Sequence, residues 1–340
     1  AEAPRKVYFV EHFLDPEVLA AVAERYLGKP WIPLAEGNER AHYELIIELY
    51  SRLGYDSLTL FHRWHNHPEA LRRRGEDTAG LARGERVWVE EGRGLIASRE
   101  DLDRFPWDTI VVDPSHVALA TSLLPPGMKI TVAGELFEHV LEVLLGYEGL
   151  FYLLHDDRAL VEEVFARWGQ KTLDFYEAVM GYEGVGGIFQ SDDLGFKTAT
   201  MLSLRDLRQL VLPWFKKYAA LAHAHGKVFW LHSCGNLYGG VIEDLIDDVR
   251  LDALHSFQDI ILPVEQFKAH YGHRIATLGG VDVDDLARLD EASLRRRVRQ
   301  ILGICQPGGR FALGSGSTVT NYVLLSNYLA MLDEGRRWGV

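Results

Sequence analysis

The feature that most constrains this chain is a regular alternation between short apolar runs and longer amphipathic stretches. The short runs are apolar on both faces, which is typical of parallel strands covered by helices. Alternating strands and helices predict a parallel sheet with right-handed crossovers, and about eight strands predict a closed (β/α)8 TIM barrel. The predicted strands are Ser57–Phe61, Thr109–Val112, Lys129–Ala133, Gly187–Gln190, Lys227–Leu231, Ala253–Phe257, Arg274–Leu278 and Arg310–Leu313.

The amphipathic stretches predict helices with one buried face. Apolar residues recur at helical spacing from Val161 to Val179 and again from Leu207 to Leu221. Ser203, with Asp206 three residues later, predicts a capping box at the start of the second stretch. Residues 1–50 carry a similar helical pattern, so we expect a single domain with an N-terminal helical extension (1–50) and a barrel (51–340).

Composition narrows the classes of partner. The 340 residues carry a formal charge of −13, which disfavours nucleic acid and anionic membranes as partners. No apolar run is long enough for a membrane span, the stretch from Ala1 to Lys6 lacks the apolar run of an export signal, and only two cysteines are present. We therefore expect a cytoplasmic protein. Two arginine clusters, 72–74 and 295–297, predict solvated helix faces.

Polar side chains follow most of the predicted strands directly. In a barrel, the loops after the strands converge over one mouth, where the chemistry of such folds is located. The concentration of ionisable groups at these positions therefore predicts a site at the mouth. The candidate residues are His62, Arg63, Glu135, Asp192, Asp193, His232, Cys234, His255, Gln258, Asp282 and Ser317.

The most specific of these motifs is His232-Ser233-Cys234. Residues i and i+2 of an extended chain point to the same side, so an imidazole and a thiolate can bind one metal ion, for which zinc is the best match. A third ligand would come from Asp192, Asp193, Glu135 or His255. The alternative is a buried His–Cys pair whose polar atoms are satisfied by hydrogen bonds.

The remaining positions have structural alternatives as well. Of Asp192 and Asp193, one is expected to face the mouth and the other to cap a turn; Asp193 is our candidate catalytic residue together with His62, a candidate proton donor. Asp282 either contacts a ligand or caps the helix that follows it. Cys305 precedes the last strand and is predicted to be a core residue.

These motifs resemble the uroporphyrinogen decarboxylase superfamily, which includes corrinoid- and coenzyme M-linked methyltransferases. The similarity extends from about Glu11 to the C-terminus and is strongest in Gly187–Gly195, His232–Asn236, Gly279–Asp282 and Gly308–Asn327. The resemblance implies a TIM-barrel enzyme and is compatible with a homodimer.

Within that superfamily the chain is more similar to the methyltransferase branch. True uroporphyrinogen decarboxylases carry an N-terminal arginine-rich signature that has no counterpart here. They also have an aspartate after the first strand, where this chain has His62-Arg63, and a histidine at the position of Ser317. His232 and Cys234 look like the paired zinc ligands of the methylcobamide:coenzyme M methyltransferases, whose third ligand is a cysteine at the position of Ser317.

Three functions remain open from the sequence. The leading one is a metal-assisted, methyltransferase-type enzyme that moves a methyl group between a small methoxy or methylamine compound and a corrinoid carrier protein, with zinc as the expected metal. In this role Arg63, Glu135, Asp192, His255, Gln258, Asp282 and Ser317 are candidate substrate-binding residues. The alternatives are a cofactor-independent decarboxylase or lyase on a small carboxylated substrate and a non-catalytic barrel that binds a tetrapyrrole.

Overall fold

The computed structural model describes residues 6–81, 84–90 and 92–338. The N-terminal residues 1–5, on which part of the export-signal argument depends, therefore lie outside the described residues. The strands are β1 Ser57–Phe61, β2 Trp64–His65, β3 Arg72–Glu76, β4 Glu85–Val89, β5 Val111–Val112, β6 Lys129–Ala133, β7 Val185–Ser191, β8 Val228–His232, β9 Ala253–His255, β10 Ala276–Leu278 and β11 Phe311–Ala312.

Seven of these strands form one curled parallel sheet in the order β1-β6-β7-β8-β9-β10-β11. From β6 onward, each neighbouring pair follows in sequence with helices between the strands, as expected for right-handed βα units, whereas β2 to β5 lie between β1 and β6 in the sequence. The strands are short and largely buried because helices cover the outside of the sheet and the barrel interior is filled by side chains. The fold is the predicted α/β TIM barrel.

The second predicted strand, Thr109–Val112, is not a barrel strand. Its last two residues form β5, which pairs antiparallel with β2 in a small sheet outside the barrel. The segment next to β11 comes instead from the N-terminus, where Phe9 forms a parallel bridge with Leu313. The Val10 amide donates to the Leu313 carbonyl at 3.0 Å, and the Leu313 amide donates to the Tyr8 carbonyl at 2.8 Å.

The helices mostly follow the predicted amphipathic stretches, and the Ser203 cap is present: its Oγ accepts from the Asp206 amide at 3.1 Å. The α-helices span Pro16–Ala21, Glu39–Leu53, Arg99–Arg104, Ser115–Ser122, Phe137–His139, Tyr147–Asp156, Arg158–Met180, Leu204–Asp206, Leu212–Ala224, Val241–Glu243, Val264–Tyr271, Val283–Arg288, Glu291–Cys305 and Leu325–Arg337. Wider π-helical turns span Val22–Tyr26, Val140–Leu144, Leu207–Val211 and Asp244–Asp248.

The two arginine clusters have different structures. Residues 295–297 lie in the helix Glu291–Cys305, as predicted. Residues 72–74 do not lie in a helix but open β3, which pairs with β4 in an antiparallel hairpin. The three consecutive arginines are all exposed, and Arg73 and Arg74 pair with Trp88 and Val87, which are exposed as well, so both faces of this two-stranded ribbon are open to solvent. Cys305 is fully buried, in agreement with its predicted core position. Within the described residues, no helix is both long and apolar enough to cross a bilayer.

Candidate metal centre

The loops after β7 and β8 bring Asp193, His232 and Cys234 together at the mouth of the barrel. One ligand atom from each of the three lies within 4.8 Å of the other two. The His232 Nε2 atom is 3.7 Å from Cys234 Sγ and 3.6 Å from Asp193 Oδ1. The sequence predicted the His–Cys pair and left the third ligand open; the structure places Asp193, of the four possible residues, in this cluster.

The position of Asp193 is fixed by the backbone of the neighbouring loop. Its Oδ1 atom accepts a hydrogen bond from the Cys234 amide at 2.6 Å. The two loops cross closely at Gly235, which has a φ of +94°, and a Cβ at this position would lie 2.1 Å from the Gly195 carbonyl carbon. Glycine is therefore required at position 235 for the aspartate loop and the cysteine loop to pack against each other.

Two serines contact the Cys234 thiol. Ser256 Oγ lies 3.2 Å from the sulfur and Ser317 Oγ lies 3.6 Å from it. Ser256 has a φ of +92°, an uncommon backbone conformation for a residue other than glycine, which is often found at functional sites. Burial, reinforced by the negative charge of Asp193, raises the pKa of the Cys234 thiol to about 12. A bound cation would favour the thiolate instead.

Behind His232 lies a group of buried histidines. His232 and His255 approach each other through their Nδ1 atoms at 2.7 Å. His12 stacks on His232 with ring centroids 4.4 Å apart, and its Nε2 atom is 3.0 Å from Ser191 Oγ. Burial lowers the pKa of all three imidazoles. A histidine binds a metal ion through its neutral imidazole. His255 and His12 contact His232 from the barrel interior and hold its ring in place.

Asp192 has a different role from Asp193. It is fully buried, and its carboxylate accepts hydrogen bonds from the Leu136 and Glu138 amides and from the Gln190 side chain. These contacts connect the end of β7 to the loop after β6. One carboxylate thus faces the cluster and the other caps a turn, as the sequence suggested, although the turn belongs to the preceding βα unit.

A second group of side chains follows β1 and β6. One ligand atom each from His62, Glu135 and His139 lies within 4.8 Å of the others. Burial lowers the pKa of His62 to about 3, with smaller contributions from His67 and His116. His62 is therefore neutral near pH 7, which makes it a poor proton donor. Burial, and then the nearby carboxylates, raise the pKa of Glu135 to about 8.

His139 and Glu138 were not among the sequence candidates. They follow Glu135 at positions i+4 and i+3, a spacing that places side chains on one side of a helical turn. This spacing, directly after a predicted strand, is the sequence signal that would have identified both residues as candidates. The pKa of Glu138 is also raised, mainly by burial and next by the charge of Asp193.

Three other candidates lie against structural partners. The Arg63 guanidinium donates to the Tyr43 hydroxyl at 2.8 Å. Asp282 caps the helix Val283–Arg288 by accepting from the Asp284 amide, and it also accepts from the Asp259 amide. Gln258 opens the turn before the helix Val264–Tyr271, where its carbonyl accepts from the Ile261 amide. Ser317 and His255 belong to the cluster through Cys234 and His232, respectively.

Known structures share the fold of this chain, but no family model and no curated protein matches its sequence. A methyltransferase from Methanosarcina mazei superposes with a TM-score of 0.65 at 17% identity, covering 100% of this chain and 96% of that one. A Listeria monocytogenes protein provisionally named a vitamin-B12-independent methionine synthase superposes with a TM-score of 0.51 at 12% identity, covering 100% of both chains. These similarities show that the chain has the TIM-barrel fold of these two proteins.

Proposed function

We propose that this chain is a methyltransferase-type enzyme that moves a methyl group between a small methoxy or methylamine compound and a corrinoid carrier. A divalent metal, for which zinc is the best match, would be held by Asp193, His232 and Cys234. The observation that carries the proposal is the convergence of these three ligand atoms at the carboxyl ends of adjacent strands. This is the end of the barrel at which TIM-barrel enzymes bind their substrates.

The spacing of the donor atoms fits one ion. Zinc bonds of roughly 2.0–2.3 Å in a tetrahedral arrangement place neighbouring donor atoms roughly 3.4–3.6 Å apart. The separations around His232 Nε2, 3.7 Å to the sulfur and 3.6 Å to the carboxylate, are close to these values. Three protein ligands leave a fourth position open, which is the pattern of catalytic zinc sites rather than structural ones.

Methyl transfer makes a specific demand on such a site. The methyl carbon forms a bond to the reduced corrinoid, which is the nucleophile, while its bond to oxygen or nitrogen breaks. The oxygen or nitrogen atom of the methyl donor keeps the electron pair of the broken bond. When bound, zinc supplies a Lewis acid that stabilises this developing charge. The residues of the chain orient the site: the Cys234 amide holds Asp193, and His255 holds the ring of His232.

The resemblance to the uroporphyrinogen decarboxylase superfamily and the fold shared with the M. mazei methyltransferase support this proposal. The lyase alternative requires cations at the mouth to bind substrate carboxylates. The principal cationic candidate, Arg63, is hydrogen-bonded to Tyr43. The charges that most raise the pKa values of Glu135 and Glu138 are all carboxylates. The described residues thus give a carboxylated substrate little electrostatic support.

The proposal is tested by combining metal analysis with an assay of methyl transfer. The protein is purified under reducing conditions without a metal-affinity tag, and its zinc content is measured. Small methoxy compounds and methylamines are then offered with chemically reduced cobalamin as acceptor, and methylcobalamin is followed by absorbance. We expect His232→Ala and Cys234→Ser each to lower the zinc content by about one ion per chain and to abolish methyl transfer.

The exposed His270→Ala variant is the matched control and should keep both zinc and activity. Zinc content that is unchanged in both His232→Ala and Cys234→Ser would overturn the metal site. Decarboxylation of a carboxylated substrate that persists in these variants would favour the lyase. Tetrapyrrole binding without turnover of any substrate would favour the non-catalytic barrel.

A further inference from the structure

We propose that His62, Glu135 and His139 form a second divalent-metal site, separate from the one that contains Cys234. The two imidazoles and one carboxylate would take a first-row divalent cation such as Zn²⁺ or Co²⁺ with nitrogen and oxygen ligands only. The inference does not depend on the proposed reaction, because neither the residues nor the test requires methyl transfer.

The first support is geometric. One ligand atom from each of the three residues lies within 4.8 Å of the other two, which is the same convergence as in the Asp193–His232–Cys234 cluster. The residues come from two adjacent barrel strands: His62 directly follows β1, Glu135 follows β6, and His139 lies one helical turn later. The His62 amide donates to the Ala133 carbonyl at 2.8 Å, so the two loops are joined by backbone at the base of the cluster.

The second support is an unsatisfied hydrogen-bonding group. Among the described residues, the Nδ1 atom of His62 is shielded from solvent and has no hydrogen-bond partner. A buried polar atom without a partner is rare in proteins and costs about 1–3 kcal/mol. A metal ion bound by His62 would account for a buried imidazole that has an unpartnered nitrogen.

The rings around the cluster hold the two imidazoles in place. His139 stacks on Trp168 with ring centroids 3.8 Å apart, and His62 packs edge-on against the same indole at 6.2 Å. The Trp168 Nε1 atom donates to the Glu135 carbonyl at 2.8 Å and so fixes the backbone that carries the carboxylate. On the far side, His139 Nε2 lies 3.0 Å from His67 Nε2. Such outer contacts orient ligands in known metal sites.

The third support is the sign of the surrounding charge. The charged groups that act on Glu135 are those of Asp192, Asp193 and Glu142, and all three are carboxylates. A partly buried group of carboxylates concentrates negative charge, which favours a bound cation. A divalent cation bound by Glu135 would offset it and would leave open positions for water or for a substrate oxygen.

Cobalt titration separates the two sites, because thiolate ligands give Co²⁺ an intense near-ultraviolet charge-transfer band and nitrogen or oxygen ligands do not. The chelator-stripped full-length protein is titrated with Co²⁺ under reducing, anaerobic conditions. We expect the wild-type chain to bind two equivalents, one of which develops the thiolate band. Cys234→Ser should lose that band and one equivalent while keeping the other.

His139→Gln and Glu135→Gln should show the reverse pattern: loss of one equivalent, or affinity weakened at least about 10-fold, with the thiolate band retained. His155→Gln, at an exposed position, is the matched control and should bind like the wild type. Far-ultraviolet circular dichroism confirms that each variant is folded. If a substituted chain does not fold, a His232→Ala/Cys234→Ser protein still decides, because it keeps only Asp193 of the first cluster and its remaining equivalent is then assigned to the second site.

Three outcomes would overturn the second site. The Cys234→Ser protein would bind no cobalt, the wild-type chain would bind only the thiolate-linked equivalent, or His139→Gln and Glu135→Gln would titrate like the wild type. Failure of the proposed function has a different signature. In that case the thiolate band would be missing from the wild-type chain while the band-free equivalent remained.

Discussion

His232 and His255 are opposite each other in adjacent strands β8 and β9, and their Nδ1 atoms are 2.7 Å apart. At this distance one atom must carry a proton and the other must accept it, so the pair has two arrangements. When the proton is on His232 Nδ1, the lone pair of its Nε2 atom is available on the side of Cys234 and Asp193. That arrangement is the one a metal ion requires, which gives His255 a positioning role.

The first prediction concerns His255. Replacing it with leucine removes the acceptor that fixes the ring of His232, and zinc affinity at the Cys234 site is expected to fall about 10- to 100-fold. The measurement is competition with a chromogenic chelator. His255→Asn, whose side-chain oxygen can accept the same hydrogen bond, should recover part of the loss, and the exposed His270→Leu should have no effect. Equal affinities for the leucine variant and the wild type would disprove the positioning role.

The second prediction adds a ligand. Ser317 Oγ lies 3.6 Å from Cys234 Sγ, so Ser317→Cys places a second thiol beside the first. Because thiolates bind zinc more strongly than hydroxyls do, zinc affinity should rise by about 10-fold or more. The matched control is Ser326→Cys, which adds a thiol at an exposed position in the helix Leu325–Arg337, outside the cluster. With reductant present, a similar gain in both variants would mean that the new thiol acts by non-specific binding.

The third prediction concerns the crossing of the two ligand loops. A Cβ at Gly235 overlaps the Gly195 carbonyl and requires a strained backbone, so Gly235→Ala should lower the free energy of unfolding by about 1–3 kcal/mol and weaken metal binding. Gly239 lies in the same loop, and a Cβ there has no neighbour within 4 Å. Gly239→Ala is therefore expected to be nearly neutral. Thermal or urea unfolding of the two variants distinguishes them, and equal stabilities would contradict the packing argument.

The fourth prediction is a dependence of stability on pH through Glu11. Burial raises the pKa of this carboxyl from 4.5 to about 8, despite its contacts with Ser315 and Tyr55. The folded chain therefore holds a proton that the unfolded chain has lost at intermediate pH. Stability from this group is present below pH 4.5 and decreases as pH rises from 4.5 to about 8. Glu11→Gln should unfold with a flatter pH profile across that window.

Urea unfolding at several pH values measures this effect. The exposed Glu148→Gln is the control and should follow the wild-type profile. Glutamine keeps a donor and an acceptor for Ser315, whose Oγ lies 2.5 Å from Glu11 Oε2. A Glu11→Gln profile parallel to that of the wild type would show that Glu11 is ionised in the folded chain.

The alternating apolar pattern was sufficient to predict the barrel, because strands covered on both faces and helices buried on one face leave few other architectures. The bounds of β1 and β6 agree with the prediction residue by residue. The prediction for Thr109–Val112 was wrong because a short apolar run has the same pattern in a barrel strand and in a small outer sheet. The place beside Leu313 is taken by Phe9. Phe9 lies in the run Val7–Val10, whose β-branched and aromatic residues are typical of a strand but which was assigned to the N-terminal helical extension.

The sequence by itself determined which residue types follow each strand, and therefore that imidazoles, carboxylates and one thiol gather at the mouth. It also placed His232 and Cys234 on the same side of the extended segment at the end of one strand, since that depends only on their separation by two residues. Tertiary structure alone decided that Asp193 joins them while Asp192 caps a turn, because this depends on where the neighbouring loop places its amide groups. The approach of His139 to His62, and of His255 to His232, likewise depends on the register between strands, which no local pattern specifies.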